Sequence, residues 1–209
     1  MQIVAVGPGE SRAGDRLIDQ ALCLRARVFQ GRLEWNVATE NGREFDEYDQ
    51  LGPTYILATD DRCVNVIGCA RLLPGDGPTM LADTFPQLLD GNPMPRGSHI
   101  VESSRFCVDT SSQSSSSARG LHQATMGLFA GILEWALDNG CTEVVTVTDL
   151  RIERIFGRAG LPFKRLGTPQ AIGNTIAIAG TIPVTADNAA RVRPVGSRPL
   201  LALGWDIAA

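Results

Sequence analysis

A repeated change of hydrophobic period constrains this chain more than any single motif. Three β-branched runs, TYILATD, VNVIGCARLLP and HIVESSRFCVD, fall between residues 54 and 109 and read as strands separated by turn signals. The period then switches. In LHQATMGLFAGILEWALDNG, Leu121, Thr125, Leu128, Phe129, Ile132, Leu133 and Ala136 form one helical stripe closed by Asn139 and Gly140. CTEVVTVTD returns as a buried strand, and LRIERIFGRAG reads as a second helix ending at a glycine. Strands before a long central helix, then strand, helix and strand, predict an α/β fold, a three-layer α-β-α sandwich around a mixed sheet.

The flanks extend this pattern. MQIVAV is a short strand, and GDRLIDQALCLRARVFQGRLEW carries Leu17, Ile18, Ala21, Leu22, Arg25 and Phe29 near helical spacing, so one amphipathic helix is expected there. NVATENGREFDEYDQLGP is polar and turn-rich, and SSQSSSS at 111–117 is a low-complexity loop. NTIAIAGTIPV and RPLLALGWDI read as late strands, or a short helix between them. With no internal repeat or linker, residues 1–209 are expected to form a single domain.

Charge and cysteine usage narrow the function. A net charge of -4 argues against a nucleic-acid or anionic-membrane partner, whose affinity would need clustered positive charge. Lys164 is the sole lysine, so arginine must supply the cationic contacts and Schiff-base chemistry is improbable. Five scattered cysteines without a CxxC pair read as reduced core residues of a cytoplasmic protein. His99 and His122 lack ligand-spaced partners, so no metal site is expected. The N-terminus has no basic, apolar leader pattern, and no apolar run reaches eighteen residues.

The charged and aromatic positions form a pattern of their own. Arg25, Phe29 and Trp35 in RARVFQGRLEW precede Asp46 and Asp49 in EFDEYD, Arg71 in GCARLLP, Phe85 in MLADTFP, and Glu102 and Arg105 in VESSRF. This order, strongest from 25 to 109, resembles the acyl-homoserine lactone synthases, the LuxI-type autoinducer synthases. The resemblance implies a fold similar to the N-acetyltransferases, with a V-splayed sheet. It also implies that the α-amine of S-adenosylmethionine attacks an acyl thioester on acyl carrier protein. The methionine carboxylate then closes on its own γ-carbon and expels methylthioadenosine, leaving an N-acyl-homoserine lactone. S-adenosylmethionine is a substrate here, and no cofactor is expected.

The residue types suit that chemistry. A protonated ammonium is not a nucleophile, so acylation needs a base, and a desolvated carboxylate has the raised pKa for it. Glu102, acting directly or through a water, is the candidate, with Arg105 beside it as the second candidate catalytic residue. A substrate bearing a carboxylate, an ammonium and a sulfonium calls for arginines, carboxylates and an aromatic face. Arg25, Arg71, Asp46 and Asp49 are candidates for the charged part, Phe29 and Trp35 for the aromatic part, with Ser104 and Phe106 alongside. The same charges could instead be an ion-pair cluster pinning the N-terminal segment to the sheet.

Strand parity raises a difficulty. In a regular strand Glu102 and Arg105 face opposite sides and could not share a site. A β-bulge near Ser103 or Ser104 would shift the parity. N-acetyltransferase folds use such a bulge to splay the strand from its parallel neighbour, here CTEVVTVTD, and strand 100–108 is therefore expected to be irregular. Behind the slot, Phe85, Met126, Phe129, Val144, Thr146 and Thr148 are candidates to line the acyl chain. In the family a threonine at the position of Thr146 is associated with a 3-oxo group.

On LRIERIFGRAGLPFKR, Arg151, Arg154 and Arg158 share a helical face and Lys164 and Arg165 follow, which makes an acidic carrier protein a plausible docking partner. Three alternatives remain: a synthase taking acyl-CoA, an acyl-CoA N-acyltransferase on another amine, and a non-catalytic binding module. SSQSSSSARGLHQ lacks the glycine-rich pyrophosphate pattern of the acyl-CoA N-acyltransferases, which weakens the CoA readings.

Overall fold

The structure, a computed structural model, describes residues 1–109, 118–197 and 201–202. The 111–117 loop, the side chains of Leu121 and His122, and most of RPLLALGWDI lie outside the described residues. The strands are β1 (Gln2–Val6), β2 (Thr39–Glu40), β3 (Arg43–Glu44), β4 (Thr54–Thr59), β5 (Val66–Pro74), β6 (Ile100–Val108), β7 (Glu143–Asp149), β8 (Lys164–Arg165), β9 (Gln170–Ile172), β10 (Thr175–Pro183) and β11 (Leu201–Ala202). The helices are α1 (Arg12–Arg25), α2 (Met80–Asp83), α3 (Ala118–Asp138), α4 (Leu150–Ala159) and α5 (Ala186–Val192). Among the described residues the main sheet runs β11-β1-β4-β5-β6-β7-β10-β8, with β9 on β10. Neighbours are antiparallel except for β1/β11 and β6/β7.

This is the expected three-layer sandwich. One face of the sheet buries Val4, Val6, Leu57 and Cys69 against Leu17, Ala21 and Leu24 of α1. The other buries Ile56, Ala70, Val101 and Val144 against the apolar stripe of α3, with Phe156 of α4 and Val192 of α5 joining the same layer. α1 opens at Arg12, two residues before the GDRL stretch expected to begin it, whereas α3 closes at the glycine expected. Ser11 caps α1 by accepting from Gly14 N, and Gly140, at φ 72, receives the chain after α3. No helix among the described residues is long and apolar enough to cross a membrane.

The N-terminal helix departs from the single amphipathic element expected. After Arg25 it widens into a π-helical turn, Ala26–Arg32, a form that is seldom stable over more than a turn and recurs at functional sites. The chain then folds back, with Trp35 N bonding Phe29 O at 2.8 Å. α2 and the short strands β8 and β9 carry too few periodic residues to stand out in the sequence, whereas α5 is the short helix expected between NTIAIAGTIPV and RPLLALGWDI.

β6 is irregular, and the irregularity is what places the site. Its register with β5 runs Leu73↔Glu102 and Arg71↔Ser104, then slips so that Cys69 pairs with Cys107. The extra residue falls at Arg105–Phe106, one to three positions beyond the expected Ser103 or Ser104, and Arg105 adopts φ 53. For a residue with a Cβ this left-handed backbone costs energy and persists only where its surroundings demand it. The bulge leaves Val101 and Ser103 on the α3 side and keeps Glu102, Ser104 and Arg105 on the α1 side. Pairing of β6 with β7 ends at Ser103↔Thr146, after which the two parallel strands part.

Beyond the split an aromatic row fills the α3 side: Phe106 on Phe129, Phe129 on Phe156 and Phe156 on Phe163, with ring centroids 5.1, 4.8 and 5.4 Å apart. Phe163 lies over Gly180 of β10 so closely that any Cβ there would collide with the ring. Gly180→Ala should therefore destabilise the protein by roughly 1–3 kcal/mol, the usual cost of overpacking, measured by urea unfolding. A neutral result would mean that Phe163 does not close the row.

Candidate active site

The polar segment 39–52 positions three carboxylates. Glu44 ends the β2–β3 hairpin, and Asp46 and Asp49 form a reciprocal capping box around the short turn Glu47–Leu51. Asp46 accepts from Tyr48 N at 3.0 Å, and Asp49 accepts from Asp46 N at 2.9 Å. All three carboxylates point into the sheet, where Arg25, Arg71 and Arg105 meet them. Arg25, fully buried, donates from Nε to Glu44 at 2.5 Å and bidentately to Asp49 at 2.8 and 2.8 Å. Arg71, also fully buried, holds Asp46 at 2.5 and 3.1 Å, lies 2.8 Å from Asp49, and donates to Ser104 Oγ at 3.2 Å. Arg105 reaches Glu44 at 3.0 Å and Asp46 at 2.8 Å.

Three arginines against three carboxylates leave no net formal charge in this buried cluster. Burial alone would raise the pKa of Asp49. The hydrogen bonds and charge of Arg25, with the charge of Arg71, overcome it and hold the carboxyl well below its usual range. Burial likewise opposes the charge on Arg25, and Asp49 and Glu44 outweigh it to raise its pKa. Tyr55, donating to Asp49 at 2.7 Å, is pushed far above its ordinary value by burial and by that neighbouring negative charge.

The cluster does not join Glu102 to Arg105. Glu102, 1% exposed, instead accepts from Met80 N at 2.9 Å and Leu81 N at 2.8 Å, the first two amides of α2. Burial raises its pKa, and the two amide bonds and the charge of Arg71 offset only part of that rise. Both residues nonetheless line one cleft of about 1680 Å³. Ser104 and Phe106 line it with them, and so do Phe29, Trp35 and Phe85. Trp35 stacks on Phe29 at 5.1 Å with planes 7° apart, and the Arg105 guanidinium sits 5.7 Å from the Phe29 ring centre. Arg25, Arg71, Asp46 and Asp49 are not among the cleft-lining residues; they stand behind its wall and fix Arg105.

The cleft continues past the β6/β7 split to Met126, Thr148, Arg151 and Arg158. A smaller cavity of about 30 Å³ lies beside it, sharing Phe106, Thr148 and Ile152 with the cleft and lined also by Phe129, Val144 and Thr146. The Thr146 hydroxyl donates to Ser103 O at 2.8 Å, at the last paired position before the split. Thr148 borders both spaces. On α4, Arg151, Arg154 and Arg158 are exposed, as is Lys164 beyond it, whereas Arg165 is held by Glu153 at 2.6 and 2.8 Å.

Sequence reasoning missed Glu44, the carboxylate shared by Arg25 and Arg105. The signal was present: Glu44, Asp46 and Asp49 are an acidic run in a loop that also carries Phe45 and Tyr48. The amides of Met80 and Leu81 left no trace, because backbone donors have no sequence signature.

The ion cluster makes a pH-dependent contribution to stability. A carboxyl whose folded pKa is depressed stabilises the fold fully above its unfolded value, about 3.9 for aspartate, and loses that contribution as pH falls through the folded value. Asp49→Asn should therefore cost about 3–5 kcal/mol at pH 7, the range for stripping one partner from a buried pair. The stability of the variant should also fall less steeply than that of the wild type below about pH 4, both read from urea titrations.

Comparison with known proteins fits this geometry. The autoinducer synthase family profile matches residues 11–192. An acyl-homoserine-lactone synthase of Rhizobium radiobacter is 50% identical over 202 residues, covering 97% of this chain and 95% of that protein. The crystal structure of the AHL synthase LasI superposes with a TM-score of 0.81 at 32% identity, covering 96% of each chain. BjaI, a CoA-dependent acyl-homoserine lactone synthase solved with SAM and isopentyl-CoA, gives a TM-score of 0.79 at 26% identity, covering 91% of this chain and 87% of that one. An N-acetyltransferase structure from Lactobacillus plantarum shares the fold at a TM-score of 0.54 and 16% identity. With the charged order of the sequence, the bulged strand and full-length matches in agreement, the chain belongs to the autoinducer synthases and is an acyl-homoserine-lactone synthase.

Proposed function

We propose that this synthase joins S-adenosylmethionine to an acyl group carried on acyl carrier protein, with Glu102 as the general base. The observation that carries the reading is the wall built by β6. The bulge sets Glu102, Ser104 and Arg105 on one side of a cleft that passes through the β6/β7 split, so an amine substrate and a thioester can approach from opposite ends. BjaI, which was solved with SAM and an acyl-CoA, supports the two-substrate reading by similarity.

In this reading the substrate lies near Arg105, Phe29 and Trp35. The guanidinium attracts the methionine carboxylate, and the indole gives the sulfonium a π face. Arg25, Asp46, Asp49 and Arg71 act through Arg105. Glu102 takes the proton from the α-ammonium, the freed amine attacks the thioester carbonyl, and the carrier thiol leaves. The methionine carboxylate then displaces methylthioadenosine at the γ-carbon, a step in which the protein's part is alignment. The acyl chain runs past Phe85 and Met126 toward the cavity at Phe129, Val144, Thr146 and Thr148. No cofactor is required. The five free thiols suit a reducing compartment, and we place the enzyme in the cytoplasm, acting as one domain.

The choice of acyl carrier protein rests on charge. Exposed Arg151, Arg154, Arg158 and Lys164 gather at one side of a net-acidic chain, two of them on the cleft rim. The carrier is strongly acidic beside its phosphopantetheine serine. Such a patch speeds encounter and is screened by salt over about 8–10 Å.

Two experiments test this function. Glu102→Gln should lower acylation by roughly 10²-fold or more. Because both carboxylate oxygens accept from α2, the amide also leaves one helix N–H facing an NH2 group, a cost of about 1–3 kcal/mol that a melting curve will reveal. In the wild type the acid limb of kcat should fall at a pH above the usual glutamate value, about 4.3, because burial raises Glu102. A folded variant with wild-type turnover would remove Glu102 from the role of base. Separately, Arg151→Glu with Arg154→Glu should raise KM for acyl carrier protein substrates and leave KM for S-adenosylmethionine unchanged. Turnover of acyl-CoA that exceeds turnover of the carrier thioester, with both arginines dispensable, would assign the donor to CoA.

A further inference from the structure

The strap Leu33–Val37, just after the π-helical turn, covers one end of the cleft, with Leu33, Glu34, Trp35, Asn36 and Val37 all on its lining. Its own backbone bonds are few: Leu33 N to Val28 O, Trp35 N to Phe29 O and Val37 N to Trp35 O. Glu34 sits at φ 53, a conformation that a residue with a side chain adopts only when something holds it. What holds it from outside comes from the far end of the chain. At the tip of the β9–β10 hairpin, Asn174 Nδ2 donates to Leu33 O at 2.7 Å, and Trp35 Nε1 donates to Thr175 Oγ1 at 3.2 Å. Gly173, at φ 58, makes the tight turn that presents both side chains.

These contacts continue inward. The latched indole stacks on Phe29, and Phe29 lies beneath the Arg105 guanidinium. One path of direct contacts thus runs from the hairpin tip to the bulge arginine.

We propose that Asn174 and Thr175 are positioning residues that latch Trp35 over the S-adenosylmethionine end of the cleft. They do so by fixing the strap from the hairpin tip, with no contact to the reacting atoms. The proposal rests on the substrate reading above for its ligand, though not for the latch. When the two bonds are made, the indole is held flat on Phe29 and presents its other face to the sulfonium. When they open, the strap keeps its local backbone bonds and the packing of Leu33, Trp35 and Val37 against the α1 side but loses its tie to the hairpin, so that end of the cleft can open for substrate entry and for release of methylthioadenosine. Asn174 is exposed and Thr175 half-buried, so neither carries the core.

The test is Asn174→Ala combined with Thr175→Val, made both in the wild type and in a protein whose only tryptophan is Trp35. Loss of two hydrogen bonds should raise KM for S-adenosylmethionine about tenfold, leave KM for the acyl donor unchanged, and change kcat little. Acrylamide quenching of Trp35, measured without ligand, should rise in the variant, and the melting temperature should stay near that of the wild type. Thr175→Ser, which keeps the hydroxyl, should restore both quenching and KM relative to Thr175→Val. Unchanged quenching together with unchanged KM would overturn the latch. Increased quenching in a protein whose wild type forms no methylthioadenosine would instead support the latch and overturn the substrate reading.

Discussion

Two arginines with no exposed surface, Arg25 on α1 and Arg71 on β5, set the terms for the rest of the molecule. A lone buried guanidinium would be strongly unfavourable, and an excellent geometry with every donor satisfied is needed to recover the desolvation cost. The segment 39–52 supplies it by bringing Glu44, Asp46 and Asp49 down onto the sheet, where the capping box between Asp46 and Asp49 fixes their spacing. A loop that would otherwise be solvated becomes a wall because its carboxylates are required inside. A hydrophobic pair of the same volume could hold α1 to β5 as well, so the charge cluster is better explained by what it positions than by stability alone.

What it positions is Arg105. Left-handed backbone at a residue with a Cβ is unfavourable, and here the Glu44 and Asp46 carboxylates hold the guanidinium and so hold the bulge. The bulge does two things. It returns Arg105 to the face of Glu102 and Ser104, and it follows directly on the point where β6 leaves β7. The shared face of Glu102, Ser104 and Arg105 is therefore a consequence of one inserted residue, placed just beyond the point where β6 and β7 part. Glu102, three residues earlier on the same strand, takes a different partner in the amides of α2. Its burial outweighs its hydrogen bonds and raises its pKa, as the proposed role of base requires.

Hydrophobic period alone was enough to place β4, β5, β6, α3, β7 and α4, because each buries one continuous face or stripe whose repeat is written into adjacent residues. The parity conflict between Glu102 and Arg105 was equally legible and required an irregular strand. Its location at Arg105 was not legible, since it is set by carboxylates some 60 residues earlier in the chain, a separation on the order of a small domain. The π-helical turn after Arg25 was hidden for a similar reason: the spacing of Arg25 and Phe29 suits an ordinary helix, and only the return of Trp35 onto Phe29 reveals the wider turn.

The sequence alone therefore determined the layer order and the family to which the order of its charged and aromatic residues belongs. These depend on local periodicity and on residue type. Tertiary structure decided the partners: that Arg105 pairs with Glu44 and Asp46 instead of Glu102, that Thr146 spends its hydroxyl on Ser103, and that Trp35 meets Thr175 across 140 residues. Hydrogen bonds and ion pairs act over a few ångströms in space and are indifferent to distance along the chain, so only the folded sheet could choose among the available donors and acceptors.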